Sequence, residues 1–217
     1  MKHYPWINNI KAIGWDLDGT LYPPNSIPSE TIQEMQYQAI MKANQWDRNQ
    51  AEDEFKKIYT NLGSHTKTLT ALKVDGTNFF INLWDELPLE KYIQHDQKII
   101  DLFSQISIKK HFLITNSNTK KQVERKLKLI GLPSSIFEVI ITTDKLGVVK
   151  PDPKPFTEAL RLMGLLPSQT IFIGDRISTD IRGANNVGMK TCLVWSNSDE
   201  ADVSLENVYQ VSQLFIK

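Results

Sequence analysis

Five short apolar runs, each stopped by polar residues or glycine, leave this chain few architectures to choose from. They are Lys11–Asp16 (KAIGWD), Lys110–Thr115 (HFLIT in its last five residues), Val139–Thr143 (VIITT), Thr170–Gly174 (TIFIG) and Thr191–Trp195 (TCLVW). Runs of this length read as strands. None alternates cleanly between apolar and polar positions, which suits strands covered on both faces, as in a parallel sheet. Between them lie helical stripes. Val123, Leu127 and Ile130 precede Gly131; Phe156, Ala159, Leu160 and Met163 precede Gly164; Ile181, Ala184 and Val187 precede Gly188. Apolar residues three or four apart, closed by a glycine, predict helices with glycine stops. Strand–helix alternation predicts an α/β, doubly wound, Rossmann-like domain around a parallel sheet.

Residues 23–96 break that rhythm. Ser29 is placed to cap a helix carrying Ile32, Met35 and Ala39, and Asn49 to cap one carrying Ala51, Phe55, Ile58, Tyr59 and Leu62 before Gly63. Thr66–Lys73 and Thr77–Leu87 also read as helical. The residues before this segment are too few to fold alone. It is therefore expected to be a helical cap domain, 23–96, inserted into a core domain built from 1–22 and 97–217. There is no internal repeat and no low-complexity stretch.

Composition narrows the function classes. Among 217 residues, 25 Lys and Arg balance 25 Asp and Glu, so the chain lacks the basic excess of a general nucleic-acid binder. With 41% hydrophobic and 23% charged residues it is ordinary for a globular protein. The single cysteine, Cys192, excludes an internal disulfide and is expected to be buried rather than reactive. Met1–Trp15 carries no signal-peptide pattern, and no run of 18 apolar residues predicts a membrane span. A cytoplasmic location is the expectation. His3, His65, His95 and His111 show no metal-ligand spacing. Without coiled-coil heptads, oligomeric state has no signature.

The sharpest chemical signal is Asp16-Leu17-Asp18-Gly19-Thr20, at the end of the first strand. Side chains two apart on an extended segment point the same way, so two carboxylates leave together at the edge where open α/β sheets bind ligands. Close like charges call for a cation or a shared proton, and an oxygen ligand set favours a hard ion, Mg²⁺. The plainer reading is an acidic turn in which Gly19 supplies a positive φ. Thr115-Asn116, Lys150 in Gly147-Val-Val-Lys-Pro-Asp-Pro, and Gly174-Asp175 with Asp180 stand at later strand ends. Singly, Thr115 finishes a strand, Lys150 is a solvated lysine, and Asp175 and Asp180 cap the helix that holds Ile181. Together, they bring a hydroxyl, an amide, an ammonium and carboxylates to one crevice.

The ordered set of Asp-x-Asp-Gly-Thr, apolar strand plus Thr-Asn, Lys-Pro-Asp-Pro, and Gly-Asp with a second Asp resembles the haloacid dehalogenase superfamily. The resemblance spans about residues 10–22 and 97–195. The insertion looks like that superfamily's helical cap of the first type. Asp18-Gly-Thr-Leu-Tyr-Pro, Thr66–Leu72 and the Leu87-Pro-Leu-Glu-Lys-Tyr stretch leading to Asp96 look like its pyrimidine 5′-nucleotidase branch. The resemblance implies a Mg²⁺-dependent phosphatase acting on a small phosphomonoester, such as a nucleoside monophosphate or sugar phosphate. Asp16 would be the nucleophile, forming an aspartyl-phosphate, and Asp18 the acid and then the base. Mg²⁺ would be held by Asp16, the backbone carbonyl of Asp18, and Asp175. Gly19, Thr20, Thr115, Asn116 and Lys150 would face the phosphate, with Lys150 steadied by Asp180. The cap residues His65, Lys67, Thr68, Asn78, Trp84 and Lys91 are placed to reach substrate, and Tyr22-Pro23-Pro24 to form a stiff hinge-side turn. The competing expectations are a phosphomutase on the same core, a phospho-accepting signalling protein without turnover, and an inert binding protein that kept the fold.

Overall fold

A computed structural model of the chain describes residues 4–117, 119–142 and 146–215. His3, Asn118, and Thr143, the expected end of the third strand, lie outside the described residues. In chain order the elements are β1 (Ala12–Trp15), α1 (Ser29–Asn44), α2 (Arg48–Leu62), α3 (His65–Ala71), α4 (Gly76–Glu86), α5 (Gln97–Gln105), β2 (His111–Ile114), α6 (Lys120–Ile130), β3 (Val139–Ile141), α7 (Pro153–Met163), β4 (Thr170–Gly174), α8 (Arg182–Asn186), β5 (Lys190–Val194) and β6 (Val203–Leu205).

The six strands form one parallel sheet in the order β3-β2-β1-β4-β5-β6. This is the doubly wound, Rossmann-type order, in which the chain reverses its direction of travel beside β1. The strands β1, β2 and β4 are buried along their whole length, as their unbroken apolar character requires. On one face Phe112 and Phe172 flank Gly14, where any side chain would overlap both rings, and Phe156, Ala159, Leu160 and Met163 of α7 cover them. On strand residues of the opposite parity Trp15 packs against Phe103 of α5, with ring centroids 4.8 Å apart. Its indole N–H donates to His111 Nδ1 at 3.2 Å, which fixes that nitrogen as the acceptor.

The chain divides into two compact units, residues 1–26 with 93–217, and residues 27–92. The second holds α1 to α4, each packed on the next, around Tyr37, Ile40, Ala51, Phe55, Leu69 and Leu72. Two helix starts differ from expectation. Ser29 lies inside α1, because Pro28, with φ −60° and no N–H to satisfy, occupies the entry position and no side chain caps the helix. Helix α2 begins before Asn49. Asp47 caps it, its carboxylate accepting from the Gln50 N–H at 2.8 Å, where a negative charge also meets the helix dipole favourably. The short strand β6 was not anticipated: Val203-Ser-Leu is too brief and too polar to stand out, and it exists because β5 offers it an edge. Trp195, expected as the last residue of the fifth strand, instead turns out of it with φ 67°, and its indole N–H donates to the Thr20 carbonyl at 3.3 Å. Among the described residues no helix is long and apolar enough to cross a membrane.

Candidate active site

The last ladder bond between β1 and β4 runs from the Asp16 N–H to the Ile173 carbonyl at 2.9 Å. Asp16 is therefore the first residue beyond the strand, tied down by its backbone, and it is buried. The chain then turns through Gly19 at φ +85°, where a Cβ would lie 2.7 Å from Asp175 Oδ2. Glycine is required there both by backbone conformation and by close approach. Next comes Thr20. Its hydroxyl lies 3.2 Å from Asp16 Oδ2 and 3.1 Å from Asp175 Oδ1, but its single proton can serve only one of them at a time.

Lys150 joins this group through its ammonium. Its Nζ donates to Asp16 Oδ1 and to Asp180 Oδ1, each at 2.6 Å, and it is 3% exposed. Asn116 holds the backbone at that point: its Oδ1 accepts the Lys150 N–H at 2.8 Å and its Nδ2 donates to the Lys150 carbonyl at 3.3 Å. Asp180 sits in a single wide helical turn, Ile177–Ile181, leading into α8, and its second oxygen accepts the Arg176 N–H at 3.0 Å. Gly174 makes room for it, since a Cβ there would overlap the Asp180 side chain.

One oxygen from each of Asp16, Asp175 and Asp180 lies within 4.8 Å of the others. When all three are ionised, the carboxylates exceed the Lys150 ammonium by two negative charges, with the exposed Arg176 only 3.8 Å from Asp175 Oδ2 as partial relief. That excess, offered through oxygen atoms alone, suits a hard divalent cation. Acidity reports the same crowding. Burial pushes the Asp16 carboxyl up, Lys150 pulls it back, and Asp180 and Asp18 push it again, to about 7. Burial and the Asp180 carboxylate likewise raise Asp175. Burial opposes the charge on Lys150, but Asp16 and Asp180 outweigh it and raise the ammonium.

Asp18 is separate from this cluster. Its Oδ1 accepts from the Tyr22 hydroxyl in a very short bond and from Lys126 Nζ at 2.7 Å, and its Oδ2 accepts from the Ser117 hydroxyl at 2.7 Å. Burial works to raise its carboxyl, yet Lys126, Tyr22 and Ser117 together hold it below the usual carboxylate range. Burial and the adjoining Asp18 carboxylate push the Tyr22 phenol far up, so it stays a donor. Thr115 is buried, and its hydroxyl accepts the Ser117 N–H at 3.1 Å, which shapes the turn that presents Ser117 to Asp18.

The structure thus gathers Asp16, Thr20, Lys150, Asp175 and Asp180 in one bonded cluster, with Gly19 in contact and Asn116 bracing Lys150 through its side chain. The Asp18 side chain faces a second set, Tyr22, Ser117 and Lys126. Sequence reasoning missed Ser117 and Lys126 and gave Tyr22 only a turn. For Lys126 a signal was present. Val123, Lys126, Leu127 and Ile130 occupy i, i+3, i+4 and i+7, so a lysine stands in the buried stripe of α6, and a buried lysine demands an acid.

A family model described as haloacid dehalogenase-like hydrolase matches residues 10–188. The glyceraldehyde 3-phosphate phosphatase of Methanopyrus kandleri is 29% identical over 199 residues, covering 84% of this chain and 82% of that protein. The pyrophosphatase PpaX of Bacillus mycoides is 27% identical over 187 residues, covering 85% and 83%. Among solved structures, a HAD phosphatase from Thermococcus onnurineus superposes with a TM-score of 0.67 at 22% identity, over 94% of this chain and 97% of that one, which is a likeness of fold.

Proposed function

Since the chain belongs to the haloacid dehalogenase-like hydrolases, we propose that it hydrolyses a small phosphomonoester through a covalent phosphate on Asp16. The supporting observation is the meeting of Asp16 with Lys150, Asp175 and Asp180 at the sheet edge, with Asp18 two residues on. In this reading an Asp16 oxygen bonds to phosphorus as the ester P–O bond breaks, and Asp18 gives the departing oxygen a proton. Water then attacks phosphorus, Asp18 accepts its proton, and the P–O bond to Asp16 breaks, restoring the carboxylate. Lys150 offsets phosphate charge, Thr115 and the Asn116 backbone bind its oxygens, and Asp180 keeps the ammonium in place. Mg²⁺ held by Asp16, the Asp18 carbonyl and Asp175 would screen the anionic nucleophile from the anionic ester. The Asp175 side chain and the charge excess fit that role. The helical unit 27–92 selects the substrate.

The second carboxylate favours an ester over a carbon–halogen bond, because a departing halide needs no proton whereas an alkoxide does. Phosphate release should be measured over a panel of nucleoside monophosphates, triose and sugar phosphates and pyrophosphate, with Mg²⁺ and with chelator. Turnover is expected on at least one phosphomonoester and should be lost on chelation and in Asp16→Asn. Undiminished phosphate release by Asp16→Asn would overturn the mechanism.

A further inference from the structure

The Lys126 side chain has no exposed surface, while its ion-pair partner Asp18 keeps 29% of its side chain exposed. The lysine sits inside the apolar stripe of α6 and reaches out of it to one oxygen of that carboxylate, also touching the Ser117 hydroxyl at 2.9 Å. Ser117 holds the other oxygen, and Tyr22 adds to the first. All three contacts donate to Asp18, so the carboxyl stands here as the carboxylate, the form that accepts the water proton in the second half of the cycle. A pair this buried contributes little net stability compared with an apolar filling of the same shape. Its geometry, however, removes the rotational freedom of a side chain that must meet a water molecule.

We infer that Lys126 is a positioning residue that, with Ser117, aims the Asp18 carboxylate at the water attacking the phospho-enzyme. This rests on the function proposed above. In that step the water oxygen bonds to phosphorus, the P–O bond to Asp16 breaks with its electron pair returning to Asp16, and the water proton passes to Asp18. Loss of aim should therefore slow the second half of the cycle more than the first. With an aryl ester such as p-nitrophenyl phosphate the departing oxygen needs no proton, so the first half is insulated from Asp18.

The test is Lys126→Met with p-nitrophenyl phosphate and Mg²⁺. Steady-state kcat should fall about thirtyfold and KM should fall with it, leaving kcat/KM within about threefold of wild type. Acid-quenched protein should carry several-fold more bound phosphate than wild type does. A merely structural lesion would lower kcat/KM along with kcat and leave less phosphate on the protein. In an Asp18→Ala background Lys126→Met should add less than about a twofold effect, because it acts through that carboxylate. Ser117→Ala should repeat the pattern more weakly, and it serves if the lysine variant fails to fold. Wild-type kcat in Lys126→Met, equal losses in kcat and kcat/KM, or undiminished effect without Asp18 would each overturn the inference. Retained activity or absent bound phosphate in Asp16→Asn separates the cases: the former removes the covalent mechanism itself, the latter leaves it standing.

Discussion

Buried ionisable groups in this chain are answered one by one, and the manner of the answer determines what each can do. Lys150 is answered twice, by Asp16 and Asp180, so it stays charged beside Asp16. His111 is answered without charge. It is 1% exposed, between Trp15 and Phe103, and accepts the Trp15 indole N–H, so its proton resides on Nε2. Burial and the nearby Lys109 ammonium lower its pKa to about 4. An unfolded chain takes up this proton near pH 6.5, so the folded state is disfavoured in proportion as pH falls below that value. The contribution is complete above pH 6.5 and is lost between about 6.5 and 4, amounting to about 3 kcal/mol. His111→Gln keeps an acceptor for the indole but cannot be protonated in this range. Urea unfolding at pH 7 and pH 4.5 should show that the variant has lost part of the wild-type acid sensitivity. An unchanged pH slope would show that His111 does not titrate with folding.

At the scale of elements, the strand ends are placed by close approaches that only glycine permits. Gly174→Ala would drive a Cβ into Asp180 and push that carboxylate off Lys150. The expected outcome is a loss of about 1–3 kcal/mol in stability, as for other overpacked sites. Turnover should drop far more than stability, although every charged residue of the cluster is intact. A variant with wild-type turnover would show that the Asp180–Lys150 contact is dispensable. These close approaches also explain what was legible beforehand. The five apolar strands and the helical stripes of α6 and α7 could be read because burial on both faces, or on one, writes directly into residue type. The grouping of Asp16, Lys150, Asp175 and Asp180 was readable because a parallel sheet brings its strand ends to one edge. Helix entry at Pro28 and Asp47 was not, since adjacent Pro, Ser, Asp and Asn all carry capping signals and only backbone geometry chooses among them. Strand β6 escaped because its pairing partner, not its composition, makes it a strand. Lys126 escaped because a lysine does not register in a pattern of apolar spacing.

At the scale of the molecule, the candidate site draws its side chains from one of the two units. The charged residues of the candidate site belong to the sheet unit, whereas His65 and Trp84 belong to the helical one. If the helical unit selects the ester, His65→Ala and Trp84→Ala should change the ratio of kcat/KM between the preferred metabolite and p-nitrophenyl phosphate by about tenfold. Equal losses on both esters would argue against selection by these residues.

Sheet order has a further cost at the ribosome. The first strand made, β1, is central, and it pairs with β2 and β4, whose partner residues for Ile13 and Trp15 are His111 and Ile173. Translation at ~5–20 residues per second leaves that strand's apolar side chains and unpaired backbone groups without their second neighbour for on the order of ten seconds. The nascent chain should thus emerge needing a holding chaperone, with Asp16 made well before Lys150, Asp175 and Asp180.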